Sequence, residues 1–302
     1  MSALKVVEPP DVADRAWAEC LAEGVGSTEA ALEVVRGWRD DFDGGRARIR
    51  LLARGESVHG MVAARRVDLL VDGESVEAWQ IQRLLVDDTG KGRAPLLMRR
   101  ILAEPALFFG LANDRAARLW ERVAGSRFRS LRRLRFLAFS PRRRWRDASA
   151  WSQIEEGARF RPPDDFPISV DRGAPRAAWR GGNGTESNAP RLLIRGGAGL
   201  LLAIHEIEGK NVLMVLDLAA DRGDLDDAVA QLRHEARRQR ASSVLVPVLD
   251  GPRAAALIQA GARPAPDWDP GPVLVLNEGT RSFDLDYLGN GGLWELPGWV
   301  TL

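Results

Sequence analysis

The stretch Leu84–Ala94, LLVDDTGKGRA, followed by PLLMRRIL at 95–102, predicts the fold around the best candidate site in this chain. Its first residues end a strand-like run, Gly90 and Gly92 flank Lys91, and a helical pattern begins directly afterwards. Glycines let a backbone come close to a ligand, and unpaired amides at a helix start point toward an anion. The stretch therefore predicts a strand, a phosphate-binding turn and a helix, in that order.

Upstream of this turn, the sequence predicts two helices and a meander of three strands. Apolar residues recur at helical spacing in Asp11–Glu23, and a second helix is expected to begin after Ser27 or Thr28. Three β-rich stretches follow, and the short polar segments between them suit hairpin turns. These predicted strands are Ala47–Arg54, Val58–Val71 and Ser75–Val86.

Downstream of the turn, helices and strands alternate. Proline suits the first position of a helix, and a glycine after an amphipathic segment is a typical stop. The predicted elements are the helix Pro95–Ala103, the strand Ala106–Leu111, the helix Asn113–Ala124 before Gly125, and a single strand Phe128–Phe139.

The second half repeats this order of elements with little residue identity. Because the order β-β-β-α-β-α-β occurs twice, we expect two copies of one α/β (α+β) fold, each a mixed, mostly antiparallel sheet flanked by helices. The first domain is expected at residues 1–140, a linker and mobile loop at 141–190, and a degenerate second domain with a C-terminal arm at 191–302. The elements predicted in the second half are the strands Arg191–Arg195, Gly199–Ile207 and Asn211–Leu218, the helix Asp224–Arg240, the strand Ser243–Val248, the helix Pro252–Ala260 and the strand Val273–Leu276.

Composition narrows the class of protein. The 302 residues are 45% hydrophobic and 28% charged, and no apolar run approaches the about 20 residues that a membrane helix needs. Cys20 is the sole cysteine, so intrachain disulfides are impossible and a cysteine-built metal site is not expected. The first residues show no secretory signal, so we expect a cytoplasmic protein. A net charge of +1 gives no general attraction to nucleic acid or to membranes.

Arginines are concentrated between residues 127 and 146. A planar guanidinium binds phosphate or carboxylate through two parallel hydrogen bonds, so this cluster could contact a polyanion. The simpler interpretation is an arginine-biased strand surface followed by a basic linker. The cluster comprises Arg127, Arg129, Arg132, Arg133, Arg135, Arg142, Arg143, Arg144 and Arg146.

With these elements in place, the first half resembles the GNAT superfamily of N-acetyltransferases. The turn TGKGRA at 89–94 is similar to the family's pyrophosphate loop, Q/R-x-x-G-x-G/A: Gly92 and Ala94 are kept, but Thr89 stands where glutamine or arginine is usual. Asn113, followed closely by AARLWERVAGSRF, resembles a later family segment in which an asparagine precedes A-x-x-L-Y-E-x-x-G-F. The resemblance covers residues 1–140 well and the rest by element order only.

The resemblance implies that the chain uses acetyl-CoA or another acyl-CoA as co-substrate, without a metal. Backbone amides of the turn would hold the pyrophosphate, the end of the preceding strand would pair with the pantetheine arm, and an asparagine would lie near that arm. The coenzyme-binding residues implied are Leu84, Leu85, Val86, Gly90, Lys91, Gly92, Arg93, Ala94 and Asn113.

A direct-transfer enzyme also needs a base for the acceptor and an acid for the leaving thiolate. The family's usual tyrosine acid falls on Trp120, whose indole N–H cannot donate its proton usefully at neutral pH. The sole tyrosine, Tyr287, lies in the distant C-terminal tail. Glu77 and His59 are the candidates for the catalytic base. Each has a structural alternative, an exposed strand glutamate and a histidine held within the sheet.

The second half departs further from the family pattern. Its equivalent turn, Ala219–Asp224, reads AADRGD, and its carboxylates would repel a pyrophosphate. We interpret this half as a degenerate copy that completes the acceptor site or the fold. In the C-terminal tail, Asp284 and Asp286 could bind a cationic or hydroxylated acceptor, or the tail could be a final strand with a packed arm.

Three functions stay open at this point. The first is acyl transfer from acyl-CoA to an amine or hydroxyl of a small-molecule acceptor. The second is a catalytically silent protein of the same fold that binds a coenzyme or a partner. The third is an aminoacyl-tRNA-dependent transferase of similar tandem fold, against which the near-neutral charge argues, since RNA binding depends on cationic surface.

Overall fold

The computed structural model describes residues 3–25, 27–71, 74–141, 152–153, 168–170, 191–195, 198–207, 209–219, 225–248, 251–265 and 273–277. Within these ranges the chain forms two sheets, one of eight strands and one of seven, with helices packed on them. The predicted architecture, two mixed and mostly antiparallel sheets flanked by helices, is confirmed.

The first half closely follows the predicted order of elements. Its helices begin with the expected caps: the Ser27 hydroxyl accepts a hydrogen bond from the Ala30 amide at 3.1 Å, and Gly125 ends a helix with φ of +58°. The elements are β1 (Lys5–Val7), α1 (Asp14–Val25), α2 (Thr28–Asp43), β2 (Ala47–Arg54), β3 (Ser57–Val71), β4 (Glu74–Val86), α3 (Ala94–Leu102), β5 (Leu107–Ala112), α4 (Asp114–Ala124), β6 (Phe128–Arg133) and β7 (Arg135–Phe139).

The second half forms a meander of strands followed by alternating helices and strands, close to the elements that its sequence predicts. Acidic residues open its first helix and arginines close it, as the helix dipole favours. The elements are β8 (Ser152–Gln153), β9 (Ile168–Val170), β10 (Arg191–Arg195), β11 (Ala198–Ile207), β12 (Lys210–Ala219), α5 (Leu225–Arg238), β13 (Ser243–Val248), α6 (Gly251–Gln259), β14 (Arg263–Pro264) and β15 (Val273–Asn277).

Among its described strands, each sheet contains one parallel pair between antiparallel neighbours. The first sheet has the order β1-β2-β3-β4-β5-β15-β6, with β9 beside β3, and its parallel pair is β4 with β5. The second has the order β14-β7-β13-β12-β11-β10-β8, and its parallel pair is β12 with β13.

The two halves exchange one strand each. Strand β15, from near the C-terminal end, lies between β5 and β6 of the first sheet, and β7 lies between β13 and β14 of the second. The single strand predicted at Phe128–Phe139 is therefore wrong. The chain changes sheets at Leu134, because Phe136 and Phe139 are buried in the core of the second sheet. The domain limits 1–140, 141–190 and 191–302 stay a prediction.

Three apolar clusters hold these layers together. Helices α1 and α2 bury Trp17 and Val35 against one face of the first sheet, and α3 and α4 bury Leu97 and Trp120 against the other. The largest cluster contains residues of both sheets, including Phe109 of the first with strands and helices of the second. No helix among the described residues is long and apolar enough to cross a membrane.

Candidate functional site

The central parallel strands of the first sheet separate on their way to the candidate turn. Strands β4 and β5 pair at three positions only, Ala78–Gln80 against Leu107–Phe109. Beyond these positions β4 continues to Val86 and β5 to Ala112 without pairing to each other. The backbone edge of Ile81–Val86 is therefore open toward β5, and we call this gap the β4–β5 wedge. Its closed end is the last parallel pair, Gln80 with Phe109.

The turn at residues 87–93 joins the open strand to α3 and is braced from within. The Asp87 carboxylate accepts a hydrogen bond from the Gly90 amide at 2.7 Å and another from the Thr89 amide. The Arg93 amide donates to the Gly90 carbonyl at 2.9 Å. An aspartate that accepts hydrogen bonds from amides two or three residues later fixes a local turn without help from a ligand.

Two amides at the start of α3, those of Gly92 and Ala94, donate to no acceptor among the described residues. Of the other amides predicted to hold pyrophosphate, those of Gly90 and Arg93 are engaged inside the turn, and that of Lys91 makes a longer contact of 3.4 Å there. The free donors stand at a helix N-terminus, where the helix dipole adds partial positive charge.

The two glycines of the turn have different roles. Gly90 is buried, and a Cβ there would lie 2.4 Å from the His59 carbonyl oxygen and 3.1 Å from Cδ2 of Leu52, so no other residue fits. Gly92 has φ of +80°, and a Cβ there would meet nothing within 4 Å. Gly90 therefore anchors the turn on β3, and Gly92 lets the backbone turn while leaving open space in front of it.

His59 belongs to the anchor of the turn. Its Nδ1 lies 2.8 Å from Oδ2 of Asp87, and its carbonyl accepts the Asp87 amide at 3.1 Å. Partial burial raises the pKa of Asp87, but the hydrogen bonds from His59, Gly90 and Thr89 outweigh it and hold the pKa below its usual value. The strand from Asp87 back to Ile81 spans roughly 20 Å, so His59 lies far from the closed end of the wedge.

Glu77 lies beyond that closed end, just before the paired residues of β4. Its carboxylate accepts a hydrogen bond from the Trp79 indole at 3.0 Å and forms ion pairs with Arg66 at 3.1 Å and with Arg48 at 3.9 Å. The Arg48 guanidinium in turn stacks over the Trp79 ring at 3.9 Å from its centroid. The structure therefore does not bring Glu77 and His59 together, and each is held by its own partners.

Three polar residues near the closed end of the wedge escaped the sequence analysis. Gln80 is only 5% exposed, and its Oε1 accepts a hydrogen bond from Nε2 of Gln82, which stands in a β-bulge of β4. Arg83 lies opposite Ala63, a residue of the cluster under α1 and α2, and burial lowers the pKa of its guanidinium. The visible signal was the polar run QIQR at 80–83 inside an otherwise apolar central strand.

The other predicted residues are placed as follows. The Asn113 side chain accepts a hydrogen bond from the Ala116 amide at 2.9 Å and caps α4. Within the arginine cluster, Arg133 pairs with Asp114 at 2.6 Å. Among the described residues, no three histidine, cysteine, aspartate or glutamate side chains lie close enough together to hold a metal ion. Residues 142–146, the turn residues 220–224, Asp284, Asp286 and Tyr287 lie outside the described residues.

Comparison with known proteins places this architecture in one fold. No model of a known protein family matches the sequence, and no curated protein matches it. A GCN5-related N-acetyltransferase from Anabaena variabilis is similar in structure, with a TM-score of 0.62 at 13% identity over 90% of this chain and 72% of that chain. One from Kribbella flavida has a TM-score of 0.58 at 16% identity over 91% and 71% of the two chains.

A third solved structure, from Enterococcus faecalis, is described as a conserved protein of unknown function and probable N-acyltransferase. It has a TM-score of 0.63 at 10% identity over 91% of this chain and 72% of that chain. At these identities the similarity establishes the fold and no more. The chain has the fold of the GCN5-related N-acetyltransferases, as its turn and element order predicted.

Proposed function

We propose that this chain is an acyl-CoA-dependent acyltransferase, which moves an acetyl or other acyl group to an amine, or to a hydroxyl, of a small molecule. One observation carries the proposal: the β4–β5 wedge leads to a turn whose Gly92 and Ala94 amides find no acceptor within the described part of the chain. The N-acetyltransferase names of the similar structures support it.

The residues of the turn and of β4 fit the coenzyme they would hold. The amides of Gly92 and Ala94 would bind pyrophosphate oxygens, and the exposed Lys91 and Arg93 side chains add positive charge beside them. The open edge of Leu84–Val86 offers backbone groups to the amides of a pantetheine arm. A thioester bound this way ends near the closed end of the wedge.

The reaction would form a C–N bond to the acceptor and break the thioester C–S bond, while the amine loses one proton and the thiolate gains one. Gln80, Gln82 and Arg83 stand at the closed end of the wedge and are the polar groups available to orient an acceptor. Glu77 and His59 remain proposals for the base. The contacts of His59 favour a role in holding the turn over proton transfer.

Two valine substitutions at glycines of similar backbone geometry test the proposal. Gly92 and Gly45 both have positive φ, +80° and +65°, and open space around them, so each valine costs about 1–2 kcal/mol of strain. We expect Gly92→Val to weaken acetyl-CoA binding at least about tenfold in calorimetric titration, because the new side chain stands in front of the donors, equivalent to about 1.4 kcal/mol. Gly45→Val should bind like the wild type.

The outcomes are distinct. A wild type that binds neither CoA nor acetyl-CoA contradicts the proposal as a whole. Unchanged acetyl-CoA binding by Gly92→Val contradicts the assignment of the turn. A rise in melting temperature with tRNA but with no acyl-CoA would favour the aminoacyl-tRNA-dependent reaction instead.

A coenzyme-binding protein that transfers nothing is the second candidate. Trp120 favours this candidate. Its indole is 3% exposed, and it supplies no usable proton at the position where the GNAT superfamily, which the sequence resembles, has a tyrosine. Acetyl-CoA binding without transfer to any amine in a broad panel would support this candidate. Transfer to even one small amine, with release of free thiol, would exclude it.

A further inference from the structure

The geometry points to Trp120 as the residue that restricts the acyl group to a short chain. This inference rests on the proposed acyltransferase function and specifies the substrate class of the same site: acetyl-CoA and comparably short acyl thioesters. It follows from where the indole lies relative to the separating strands.

Trp120 lies at the point where β4 and β5 part. The last parallel pair is Gln80 with Phe109, and the next residues are Ile81 and Gly110. A Cβ on Gly110 would lie 3.0 Å from the Ile81 carbonyl oxygen and 3.6 Å from Cζ2 of Trp120. The indole therefore packs beside Gly110 of β5 at the closed end of the wedge, and the tightest neighbour of this glycine is the Ile81 carbonyl of β4.

The indole shares its apolar cluster with other large buried side chains. Trp120 is 3% exposed, Trp79 is 4% exposed and Phe108 is fully buried, and all three belong to the cluster under α3 and α4. Leu97 and Ile101 of α3 belong to the same cluster and are fully buried. Because protein interiors are close-packed with few voids larger than a water molecule, such a cluster offers little space for a hydrocarbon chain.

The second sheet lacks this arrangement. There the last parallel pair is Met214 with Leu245, and the next residue of β13 is the fully buried Val246 where β5 has Gly110. The strand position that is a glycine beside the indole in the first sheet is therefore a branched, buried residue in the second. The small residue and the large ring thus occur together in the sheet that carries the phosphate-binding turn.

The consequence for the substrate is steric. An acyl group that reaches the end of the wedge meets the indole edge, so a methyl group can be accommodated and each further methylene must displace the ring. Removing the ring should reverse the preference, because each methylene that becomes buried strengthens binding about fourfold, equivalent to about 0.8 kcal/mol.

The experiment measures dissociation constants of the full chain for CoA, acetyl-CoA, butanoyl-CoA and hexanoyl-CoA by calorimetric titration. We expect the wild type to bind acetyl-CoA at least about tenfold more tightly than hexanoyl-CoA, since the ring blocks the chain. Trp120→Ala should reverse this order, because an apolar cavity of this kind stays dry and takes up apolar ligands. Trp38→Ala is the matched control: Trp38 is 7% exposed and packs in the cluster under α1 and α2.

Each outcome decides the inference. A wild type that binds hexanoyl-CoA as tightly as acetyl-CoA overturns it without any variant, and so does an unchanged order in Trp120→Ala. If the alanine variant does not fold, Trp120→Phe should give a smaller shift toward butanoyl-CoA, and no shift counts against the inference. If the wild type binds no CoA at all, the proposed function fails first and this inference fails with it.

Discussion

The two sheets have the same spacing between their parallel pair and the β-bulge that follows it, and they differ in the connection to the next helix. In the first sheet β4 bulges at Gln82, two residues after its last parallel partner, Gln80. In the second sheet β12 bulges at Leu216, again two residues after its last parallel partner, Met214. The bend that separates the two central strands is therefore built into both sheets.

The difference begins where each bent strand meets its helix. Seven residues, 87–93, connect β4 to α3, and five, 220–224, connect β12 to α5. The longer connection contains the anchored turn with its free amides, whereas the shorter one has the sequence ADRGD. If the first turn binds phosphate as proposed, the few residues of this connection, and not the geometry of the sheet, would account for it.

The exchanged strands extend this comparison. Phe139 of β7 lies opposite Val244 in the second sheet, and Asn277 of β15 lies opposite Phe108 in the first. Val244 and Phe108 each occupy the middle of the three parallel-paired positions. Equivalent buried positions thus hold an aromatic ring in one sheet and an amide in the other. Substitutions at these two positions, and in the turn of the first sheet, test how far the two sheets are alike.

The largest effect is expected from Phe139→Ala. Phe139 is 1% exposed in the largest core cluster, and the guanidinium of the buried Arg233 lies 5.2 Å from its ring centroid. Truncating such a ring should lower the free energy of unfolding by about 3–5 kcal/mol, measured by urea denaturation. A loss below about 1 kcal/mol would mean that β7 contributes little to the second sheet.

A smaller loss is expected from Gly90→Ala, which tests the anchored turn of the first sheet. The added Cβ would collide with the His59 carbonyl, so we expect unfolding to become easier by about 1–3 kcal/mol, with weaker acetyl-CoA binding. Gly37→Ala is the control with an effect of opposite sign. This glycine of α2 is exposed, and a Cβ there would meet nothing within 4 Å, so the free energy of unfolding should rise by about 0.5–1 kcal/mol. Equal behaviour of the two variants in urea denaturation would contradict the assigned role.

Asp87→Asn should cost about 1 kcal/mol at neutral pH, because the carboxylate is 36% exposed and solvent weakens its hydrogen bonds. The pKa of Asp87 is lowered in the folded protein, so the carboxylate stabilises the fold above its ordinary pKa of about 3.9. This contribution is lost as the pH falls through the folded pKa. Denaturation of both proteins from pH 7 to pH 3 should show the difference shrinking toward acid, and a constant difference would argue against the pairing.

The smallest effect, and a favourable one, is expected from Asn277→Leu. Asn277 is fully buried, and within the described residues neither of its amide atoms has a hydrogen-bond partner. Replacing an unsatisfied buried amide by an apolar group of similar size should stabilise the protein by about 1 kcal/mol. A clear loss of thermal stability instead would reveal a partner for this amide and a real difference between the two sheets.

The sequence was sufficient for the local elements and for the turn. Helical spacing, caps and hairpin turns depend on neighbouring residues, and so does the glycine pair Gly90 and Gly92. The hydrogen bond of Asp87 inside the turn could also have been predicted from the sequence, since an aspartate three residues before a glycine, as with Asp87 and Gly90, is typical of turns. The positions of Gln82 and Arg83 near the closed end of the wedge depend on the β-bulge of β4, for which the sequence has no recognisable signal.

The exchange of strands could not be predicted. Leu134 separates β6 from β7 without a glycine or proline, so the segment 128–139 has the pattern of one strand. This segment is divided into two strands because Phe136 and Phe139 pack into a core formed mainly by residues much later in the chain. A choice between partners so distant in sequence is decided by packing, which local propensity does not encode.

The exchange also sets an order of events during synthesis. Strands β5 and β6 leave the ribosome early, yet the strand that pairs with both of them, β15, begins only at Val273. At bacterial or eukaryotic elongation rates, the intervening stretch takes roughly 7–28 s to be made. During that time the edges of β5 and β6 that later pair with β15 are unpaired. The nascent chain can therefore pair with other β-strands until β15 occupies the position between them.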